Sequence, residues 1–377
     1  MDCYTINTQN CPHQRPSMRE QRTMNVTAPP QLSKKALALP LGCTFEPEDW
    51  RLLARHWYPI ALAEEIGEAP YRATLLDEAL VAYRVHGNVV VARDVCPHRG
   101  VPLSMGMHDG EGLVCPYHGL RFGTEGRCNR IPASPHQAAP AKLNLHSYPA
   151  IERYGLIWTC LMAEDGSGAP DIPSLPHWDD PDFVQVVCPS FDIAGFAGRQ
   201  IEGFIDVAHF AWVHTETFAD PNNQQVPDYQ TSETPTGFMA DYFSSMSNYA
   251  KGSGFEDPEG FIWLRHFEVH LPFTATLTIH FPGGKVQTIM NAASPVSARK
   301  TKLFVPIIRN VNKHIPAEDI KAFNLRVFEE DRAMVEAQKP ERLPLDLTLE
   351  AHIPADRSSI AYRRGLKRMG LGEFFLV

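Results

Sequence analysis

The segments Cys96-Pro97-His98-Arg99-Gly100 and Cys115-Pro116-Tyr117-His118-Gly119 repeat one pattern. In each, a proline follows the cysteine and a glycine lies just beyond the histidine. Proline and glycine at these places indicate two tight loop tips. A thiol and an imidazole on each tip indicate a metal site shared by the two loops.

Two thiolates and two imidazoles are the ligand set of a Rieske [2Fe–2S] cluster, in which the cysteines hold one iron and the histidines hold the other. The predicted cluster ligands are Cys96, His98, Cys115 and His118. Tetrahedral zinc, which cysteine–histidine pairs at short spacing also bind, is the main alternative. Zinc is disfavoured because a histidine, and not a second cysteine, closes each pair.

The composition is that of a globular protein. The chain has 377 residues, enough for two ordinary domains. Its formal net charge of −9 argues against a nucleic-acid partner, because phosphate binding needs a basic face. No apolar run approaches the roughly 18 residues of a membrane span, so we expect no membrane partner.

The remaining cysteines show no spacing typical of a disulfide framework. We expect free thiols in a reducing, cytoplasmic compartment, since the N-terminus also lacks the apolar core of a secretory signal. These cysteines are Cys3, Cys11, Cys43, Cys128, Cys160 and Cys188.

Four regions are predicted: a weakly ordered leader at 1–44, an all-β domain at 45–165, a linker at 166–182 and a second domain at 183–377. The β domain has strand patterns over 71–76, 80–85, 89–93 and 156–161, with a hairpin turn at His86-Gly87-Asn88.

The second domain has helical periodicity over 201–214 and 316–339 and strand patterns over 261–270, 274–281, 286–293 and 302–308. Consecutive strands between helices predict an antiparallel α+β domain. The sequence has no glycine-rich nucleotide-binding motif, so we expect any NADH oxidation to take place on another protein.

A second metal site is predicted in the helix over 201–214. On a helix, His209 and His214 would flank Asp206 on one side, so a metal ion would lie beside it. Two histidines and one carboxylate are a common ligand set of mononuclear Fe(II), and they leave positions open for O2 and substrate. For each histidine the alternative is an ordinary core residue.

The helix over 316–339 supplies the candidate carboxylates. Helical geometry places Asp331 inside the apolar stripe, Glu330 at its edge, and Glu329 and Glu336 on the opposite side. A buried carboxylate is costly unless it is paired or bound to metal. The predicted third ligand is therefore Asp331, with a buried ion pair as the alternative.

A Rieske motif, then Asp-x-x-His-x-x-x-x-His, then a carboxylate on a late helix resembles the Rieske non-heme iron ring-hydroxylating oxygenases. The resemblance covers nearly everything after Phe45. Within that family the chain is similar to terminal oxygenase (α) subunits, which include vanillate and dicamba O-demethylases, toluenesulfonate oxygenase, and phenoxybenzoate- or isophthalate-type dioxygenases.

The resemblance implies a Rieske domain followed by a helix-grip-like catalytic domain with a curved antiparallel sheet. It implies that His209, His214 and Asp331 bind iron. Asp206 would bridge a cluster histidine of one subunit and an iron-ligand histidine of the next, in a head-to-tail trimer or dimer of trimers. A flavin/[2Fe–2S] reductase would deliver electrons from NADH for O2 activation. Many relatives carry Asp-Asn where this chain has Glu202-Gly203.

An arginine suits a substrate carboxylate or sulfonate because its planar fork binds both oxygens. The candidates are Arg309, Arg265 and Arg199. Ordinary salt bridges or core packing are the alternative for each candidate. The candidates for an aromatic pocket are Trp212, Trp263, Phe267 and Phe281.

The predicted function is oxygenation of an aromatic acid, such as a phthalate isomer, a phenoxybenzoate or an arylsulfonate. Ring dihydroxylation is favoured over hydroxylation or O-demethylation. One alternative is a Rieske monooxygenase acting on a non-aromatic substrate, such as a quaternary amine or a sterol. Others are a Rieske electron-transfer protein without an oxygenase centre and a zinc-binding interaction module.

Overall fold

The computed structural model describes residues 39–162 and 171–372. Its first half consists of three antiparallel sheets preceded by helix α1, Pro47–Leu53. The strands are β1 (Tyr58–Leu62), β2 (Tyr71–Leu75), β3 (Glu78–Val85), β4 (Asn88–Arg93), β5 (Met107–His108), β6 (Leu113–Val114), β7 (Arg121–Phe122), β8 (Cys128–Arg130), β9 (Ser147–Tyr148), β10 (Ala150–Arg153) and β11 (Leu156–Thr159). Their orders are β1-β11-β10, β2-β3-β4-β9 and β5-β6-β7-β8.

The predicted hairpin is present between β3 and β4. His86 and Gly87 have φ angles of 50° and 81°, the two left-handed positions of a tight hairpin turn. Val85 pairs with Asn88 across this turn. The hairpin leads directly into the first cysteine loop, so the β3–β4 register sets where that loop begins.

The second half contains one nine-stranded sheet and four helices. The strands are β12 (Val184–Val187), β13 (Phe191–Ile193), β14 (Thr231–Thr234), β15 (Gly237–Ser244), β16 (Trp263–His270), β17 (Thr274–Phe281), β18 (Lys285–Ser297), β19 (Lys300–Phe304) and β20 (Pro306–Arg309). The helices are α2 (Ala197–Ile205), α3 (Phe210–Val213), α4 (Ala317–Ala337) and α5 (Arg357–Arg368).

The large sheet is antiparallel and runs β12-β20-β18-β17-β16-β15-β14, with β19 paired to both β13 and β18. Helix α2 packs on β17 and β18 and also contacts α4 and α5. Alternate residues of the central strands face this helical layer. The predicted α+β fold, with a β domain followed by an antiparallel catalytic domain, is confirmed.

Two elements differ from the prediction. The helix expected over 201–214 is broken, because Asp206 is extended (ψ 132°) and its Oδ1 accepts the Ala208 N–H at 2.8 Å. Such a side-chain bond offers the backbone an alternative to the helix. The strand expected over 302–308 is two strands, β19 and β20, separated at Val305.

Residues 1–38 of the predicted leader, 163–165 at the end of the predicted β domain and 166–170 of the predicted linker lie outside the described residues. The last leader residue, Thr44, hydrogen-bonds Asp77 Oδ2 through both its N–H and its hydroxyl at 2.8 Å. The six cysteines of the described segments form no disulfide. Within those segments, no helix combines the length and apolarity that a membrane crossing requires.

Candidate metal centres

The two cysteine–histidine loops have the same backbone geometry. The N–H of Gly100 donates to the Cys96 carbonyl at 2.8 Å, and the N–H of Gly119 donates to the Cys115 carbonyl at 3.0 Å. Both glycines have positive φ, 77° and 68°, which a side chain would make unfavourable. The repeated glycine in the sequence therefore reflects a repeated tight turn.

Burial separates the thiols from the imidazoles. Cys96 and Cys115 are 1% and 2% exposed and belong to the core of the β domain, whereas His98 and His118 are exposed. The two imidazole rings lie edge to face, with centroids 4.5 Å apart and an interplanar angle of 68°. Burial, with the neighbouring Cys115 thiol, raises the pKa of Cys96 to about 11, so a thiolate here needs a positive partner. This donor set fits a cluster with an inner cysteine-bound iron and an outer histidine-bound iron.

His209, His214 and Asp331 come together from three parts of the chain. His209 precedes α3, His214 follows it, and Asp331 lies on α4. The Nε2 atoms of the two histidines are 3.1 Å apart, and Asp331 Oδ1 lies 3.3 Å from His209 Nε2 and 3.1 Å from His214 Nε2. One ligand atom from each residue lies within 4.8 Å of the others, as a metal site requires.

Each imidazole is held from behind by a carboxylate. His209 Nδ1 lies 3.3 Å from Asp206 Oδ2, and His214 Nδ1 lies 2.8 Å from Glu330 Oε2. A carboxylate only accepts, so in the neutral imidazoles each Nδ1 donates and each Nε2 presents a lone pair to the other. Two lone pairs and a carboxylate oxygen at this separation repel one another unless a cation lies between them. The arrangement therefore fits a cation, and the donors are those of mononuclear Fe(II).

The pKa values of His209 and Asp331 reflect their close approach to each other. Burial lowers the pKa of His209, but the hydrogen bonds to Asp206 and Asp331 outweigh it and raise that pKa to about 9. Burial raises the pKa of Asp331, yet the two histidines outweigh it and lower that pKa. The site thus attracts positive charge.

A cavity lies beside these three residues. Its walls are mainly apolar, and the phenylalanines that line it are Phe204, Phe210, Phe218, Phe323 and Phe328. Four polar side chains reach it, namely Asn248, Arg265, Gln287 and Asn324. An apolar cleft with a few placed polar groups is the usual form of a small-molecule site.

Of the predicted substrate residues, Arg265 lines this cavity and the other three do not. Arg199 binds Glu202 and Glu350 and lines a different cavity. The two terminal nitrogens of Arg309 donate to carbonyls of a loop, those of Val311, Asn312 and Ile315. Trp212 is 67% exposed and faces away from the cavity. The sequence placed all four on or beside predicted strands and the predicted iron helix, and only the tertiary fold separates them.

The predicted aromatic lining is also corrected. Trp263 and Phe281 pack on each other with ring centroids 5.0 Å apart, in a cluster with Tyr249, and neither lines the cavity. Phe267 packs behind Phe204, with centroids 6.1 Å apart. The phenylalanines of α4 line the cavity in their place, because the stripe that buries Asp331 faces it.

Two parts of the chain match known families. Residues 56–149 match the Rieske [2Fe-2S] domain, and residues 197–371 match the vanillate O-demethylase oxygenase C-terminal domain. Together these matches include every predicted ligand of both metal centres.

Individual relatives include the methylxanthine N1-demethylase NdmA of Pseudomonas putida, 31% identical over 85% of this chain and 90% of that protein. The structure of that protein with caffeine has a TM-score of 0.73, at 29% identity, and covers 85% of this chain and 92% of the other. The dicamba O-demethylase oxygenase component of Stenotrophomonas maltophilia is 38% identical over 42% of this chain and 46% of its own. A phthalate 4,5-dioxygenase subunit of P. putida is 29% identical over 50% of this chain and 47% of its own.

Proposed function

Because this chain belongs to the Rieske non-heme iron oxygenases, we propose that it is a terminal monooxygenase component that removes a methyl group from nitrogen or oxygen on a planar aromatic or heteroaromatic substrate. The observation that carries the proposal is the convergence of His209, His214 and Asp331 beside a cavity with phenylalanine walls. Flat walls of this kind suit a flat ring.

The members of this family carry a Rieske [2Fe–2S] cluster and a mononuclear iron that, when bound, activates O2. We assign Cys96, His98, Cys115 and His118 to the cluster, and His209, His214 and Asp331 to the iron. Electrons would come from NADH through a flavin/[2Fe–2S] reductase. Each demethylation would consume one O2, one NADH and one proton, and would yield the demethylated product, formaldehyde, water and NAD⁺.

Demethylation is proposed over ring dihydroxylation because of how much of the chain each relative covers. The similarity to an N-demethylase spans 85% of the chain, whereas the similarity to a phthalate dioxygenase spans 50%. We therefore propose demethylation in place of the ring dihydroxylation that the sequence favoured. Dihydroxylation remains the second candidate, since the same ligand set serves both reactions.

Asp206 is positioned to connect the two kinds of centre between subunits. Its side chain is 31% exposed while one oxygen contacts His209, so a histidine of another subunit has access to it. We propose that an exposed cluster histidine, His98 or His118, of a neighbouring copy docks there. The chain would then assemble head to tail as a trimer or dimer of trimers.

The exposed apolar side chains support this assembly. Among the described residues, thirteen large hydrophobic side chains are exposed, and eight of them lie on segments that carry or flank the cluster loops, the iron site or Asp206. Those near the cluster loops are Val95, Met105, Met107 and Tyr117, and those near the iron site or Asp206 are Trp212, Met334, Leu349 and Ile353. Exposed apolar patches mark interaction surfaces, and two different patches on one chain suit a heterologous ring.

The reaction is tested with iron-reconstituted protein, a reductase and NADH. The substrates are caffeine, theobromine, vanillate and phthalate, and the readouts are O2 uptake, formaldehyde and product mass. One formaldehyde per O2 consumed supports demethylation, and a gain of two oxygens supports dihydroxylation. If no substrate stimulates O2 uptake, the proposed substrate class is wrong.

Metal analysis separates an oxygenase from a Rieske electron carrier. The wild type should hold three irons per chain, and His209→Ala should hold two while keeping the visible spectrum of the cluster. His266→Ala is the matched control, because His266 pairs with Asp241 at 2.6 Å and does not line the cavity. Two irons in the wild type would contradict the proposed function.

A further inference from the structure

Arg265 is a fully buried cation beside the iron cavity, and among the described residues it forms no ion pair. Its acceptors are all uncharged: the Asn248 side chain at 3.2 Å, the Ser244 hydroxyl at 2.9 Å, and the carbonyls of Met246 at 2.9 Å and Ser247 at 3.4 Å. Burial lowers its pKa to about 10, so the guanidinium stays charged at neutral pH. A buried charge without an opposite charge is costly, and such sites are commonly completed by a ligand.

The contact with Arg265 determines which way the Asn248 amide points. Arg265 Nε can only donate, so the Asn248 atom that faces it must be the carbonyl oxygen. The amide nitrogen Nδ2 therefore points elsewhere, and within the described segments it is buried without a hydrogen-bond partner. Asn248 itself lines the cavity.

Among the described residues, no carboxylate hydrogen-bonds the Arg265 guanidinium. The guanidinium lies over the ring of Phe210, 5.6 Å from its centroid, and Phe210 follows the iron-ligand candidate His209. Asp257 acts on Arg265 only through space, and its own oxygens accept from Trp263 and Ser247. The positive charge of Arg265 therefore acts on a substrate that enters the cavity. Through its hydrogen bond to Asn248 Oδ1, Arg265 also polarises the free N–H of Asn248 Nδ2.

We propose that Asn248, held by Arg265, donates its amide N–H to an oxygen acceptor attached to the substrate ring, a carbonyl or a carboxylate. This assignment rests on the proposed function, because it names the substrate class of the same cavity. It explains why a mainly apolar cavity contains a buried cation. It also orients the ring, since the acceptor end is fixed at Asn248 and the iron would be held by His209, His214 and Asp331.

Binding is measured by calorimetry on oxidised, iron-loaded protein without reductase, so that turnover plays no part. The probes are caffeine with neutral ring carbonyls, 4-methoxybenzoate with a carboxylate, and 4-methylanisole with neither. The wild type should bind caffeine or 4-methoxybenzoate at least tenfold more tightly than 4-methylanisole. Whichever of the two is preferred identifies the acceptor as neutral or anionic.

Two variants then test the residue. Asn248→Asp keeps the size and gives Arg265 a charged partner, but it replaces the free donor by an acceptor; Asn248→Leu removes both. Each should weaken the preferred acceptor probe about tenfold or more and change 4-methylanisole by less than twofold. Because Asp is nearly isosteric and pairs with Arg265, the Asp variant should stay folded even if the Leu variant does not.

The inference is overturned if the acceptor probes bind no more tightly than 4-methylanisole, or if Asn248→Asp weakens all three probes equally. Either result leaves the oxygenase reaction standing, because O2 uptake with a substrate lacking a ring-bound oxygen acceptor would still support it. Loss of substrate-stimulated O2 uptake with normal probe selectivity would instead contradict the proposed function alone.

Discussion

His214 Nδ1 donates a hydrogen bond to Glu330 Oε2 over 2.8 Å, and the same oxygen accepts the Thr217 hydroxyl at 2.8 Å. Glu330 directly precedes Asp331 on α4, so one helix supplies both a ligand candidate and the group that holds another ligand. A carboxylate behind a metal-binding imidazole fixes its tautomer and ring orientation and raises its basicity.

Replacing Glu330 should loosen the iron. Glu330→Ala removes the acceptor, and we expect the affinity for Fe(II) to fall about 10- to 100-fold. Glu330→Gln keeps an acceptor without the charge, so its affinity for Fe(II) should lie between those of the wild type and Glu330→Ala. The measurement is anaerobic titration of apo-protein with Fe(II), or with Co(II) followed by its visible bands. Glu329→Gln, which changes an exposed acid paired with Arg332, is the control. An affinity within twofold of wild type in Glu330→Ala would contradict this role.

The sequence identified Asp331 by helical geometry because the apolar stripe of α4 was complete, and the same reasoning placed Glu330 only at the edge. Its role needed the position of His214, which follows a break in the chain at Asp206 that periodicity did not reveal. A Glu-Asp pair on a predicted iron helix was the available signal. The two cysteine–histidine loops were predictable because their cysteines, histidines and turn glycines are local in sequence, and the assignment of these residues as cluster ligands stays a prediction.

The roles of the three predicted substrate arginines could not be distinguished from the sequence. Arg199, Arg265 and Arg309 are all almost fully buried, so burial does not distinguish them. Their partners do: two acids for Arg199, loop carbonyls for Arg309, and the segment after β15 for Arg265. These partners are distant in sequence or irregular in backbone, and no periodic pattern encodes them.

The two glycines of α2 should respond in opposite ways to alanine. A Cβ at Gly203 would meet only Val335 Cγ2, at an ordinary 3.6 Å, so Gly203→Ala should raise the free energy of unfolding by about 0.5–1 kcal/mol through helix propensity. A Cβ at Gly198 would lie 2.6 Å from a ring carbon of the buried Phe196, so Gly198→Ala should lower it by about 1–3 kcal/mol. Urea unfolding of both variants measures the difference. Equal shifts in the same direction would show that the packing around α2 is not as described.

Acidification should destabilise the protein through His146. Burial, with the nearby Arg93, lowers the pKa of His146 from 6.5 to about 4, and its Nε2 is buried without a partner in the described segments. Below pH 6.5 His146 becomes protonated in the unfolded chain, whereas in the folded protein it stays neutral until about pH 4. The free energy of unfolding should therefore fall across that window and be unaffected by His146 above it.

His146→Gln should flatten this slope, measured by urea unfolding of the holoprotein at several pH values between these limits with tryptophan fluorescence. His136→Gln, at an exposed position, should leave the slope unchanged. The same slope in wild type and His146→Gln would assign the acid sensitivity to other groups.

Asp206 provides the test of the head-to-tail assembly. If Asp206 connects the iron site to the cluster of a neighbouring copy, Asp206→Ala should lose more than 90% of coupled turnover, an effect of about 1.4 kcal/mol or more on the barrier. Its cluster spectrum should be unchanged.

Cys96→Ser subunits should lack the cluster but keep an intact iron site. Each homo-oligomer is then inactive. In mixed oligomers, a Cys96→Ser subunit next to an Asp206→Ala subunit would have both an intact Asp206 and a neighbouring cluster, so activity should return on co-expression. As a control, expression of the double variant, with Cys96→Ser and Asp206→Ala in the same chain, should restore no activity, because every subunit then lacks both the cluster and Asp206. If co-expression gives no activity although the mixed oligomers form, electrons pass within one chain and the assigned role of Asp206 is wrong.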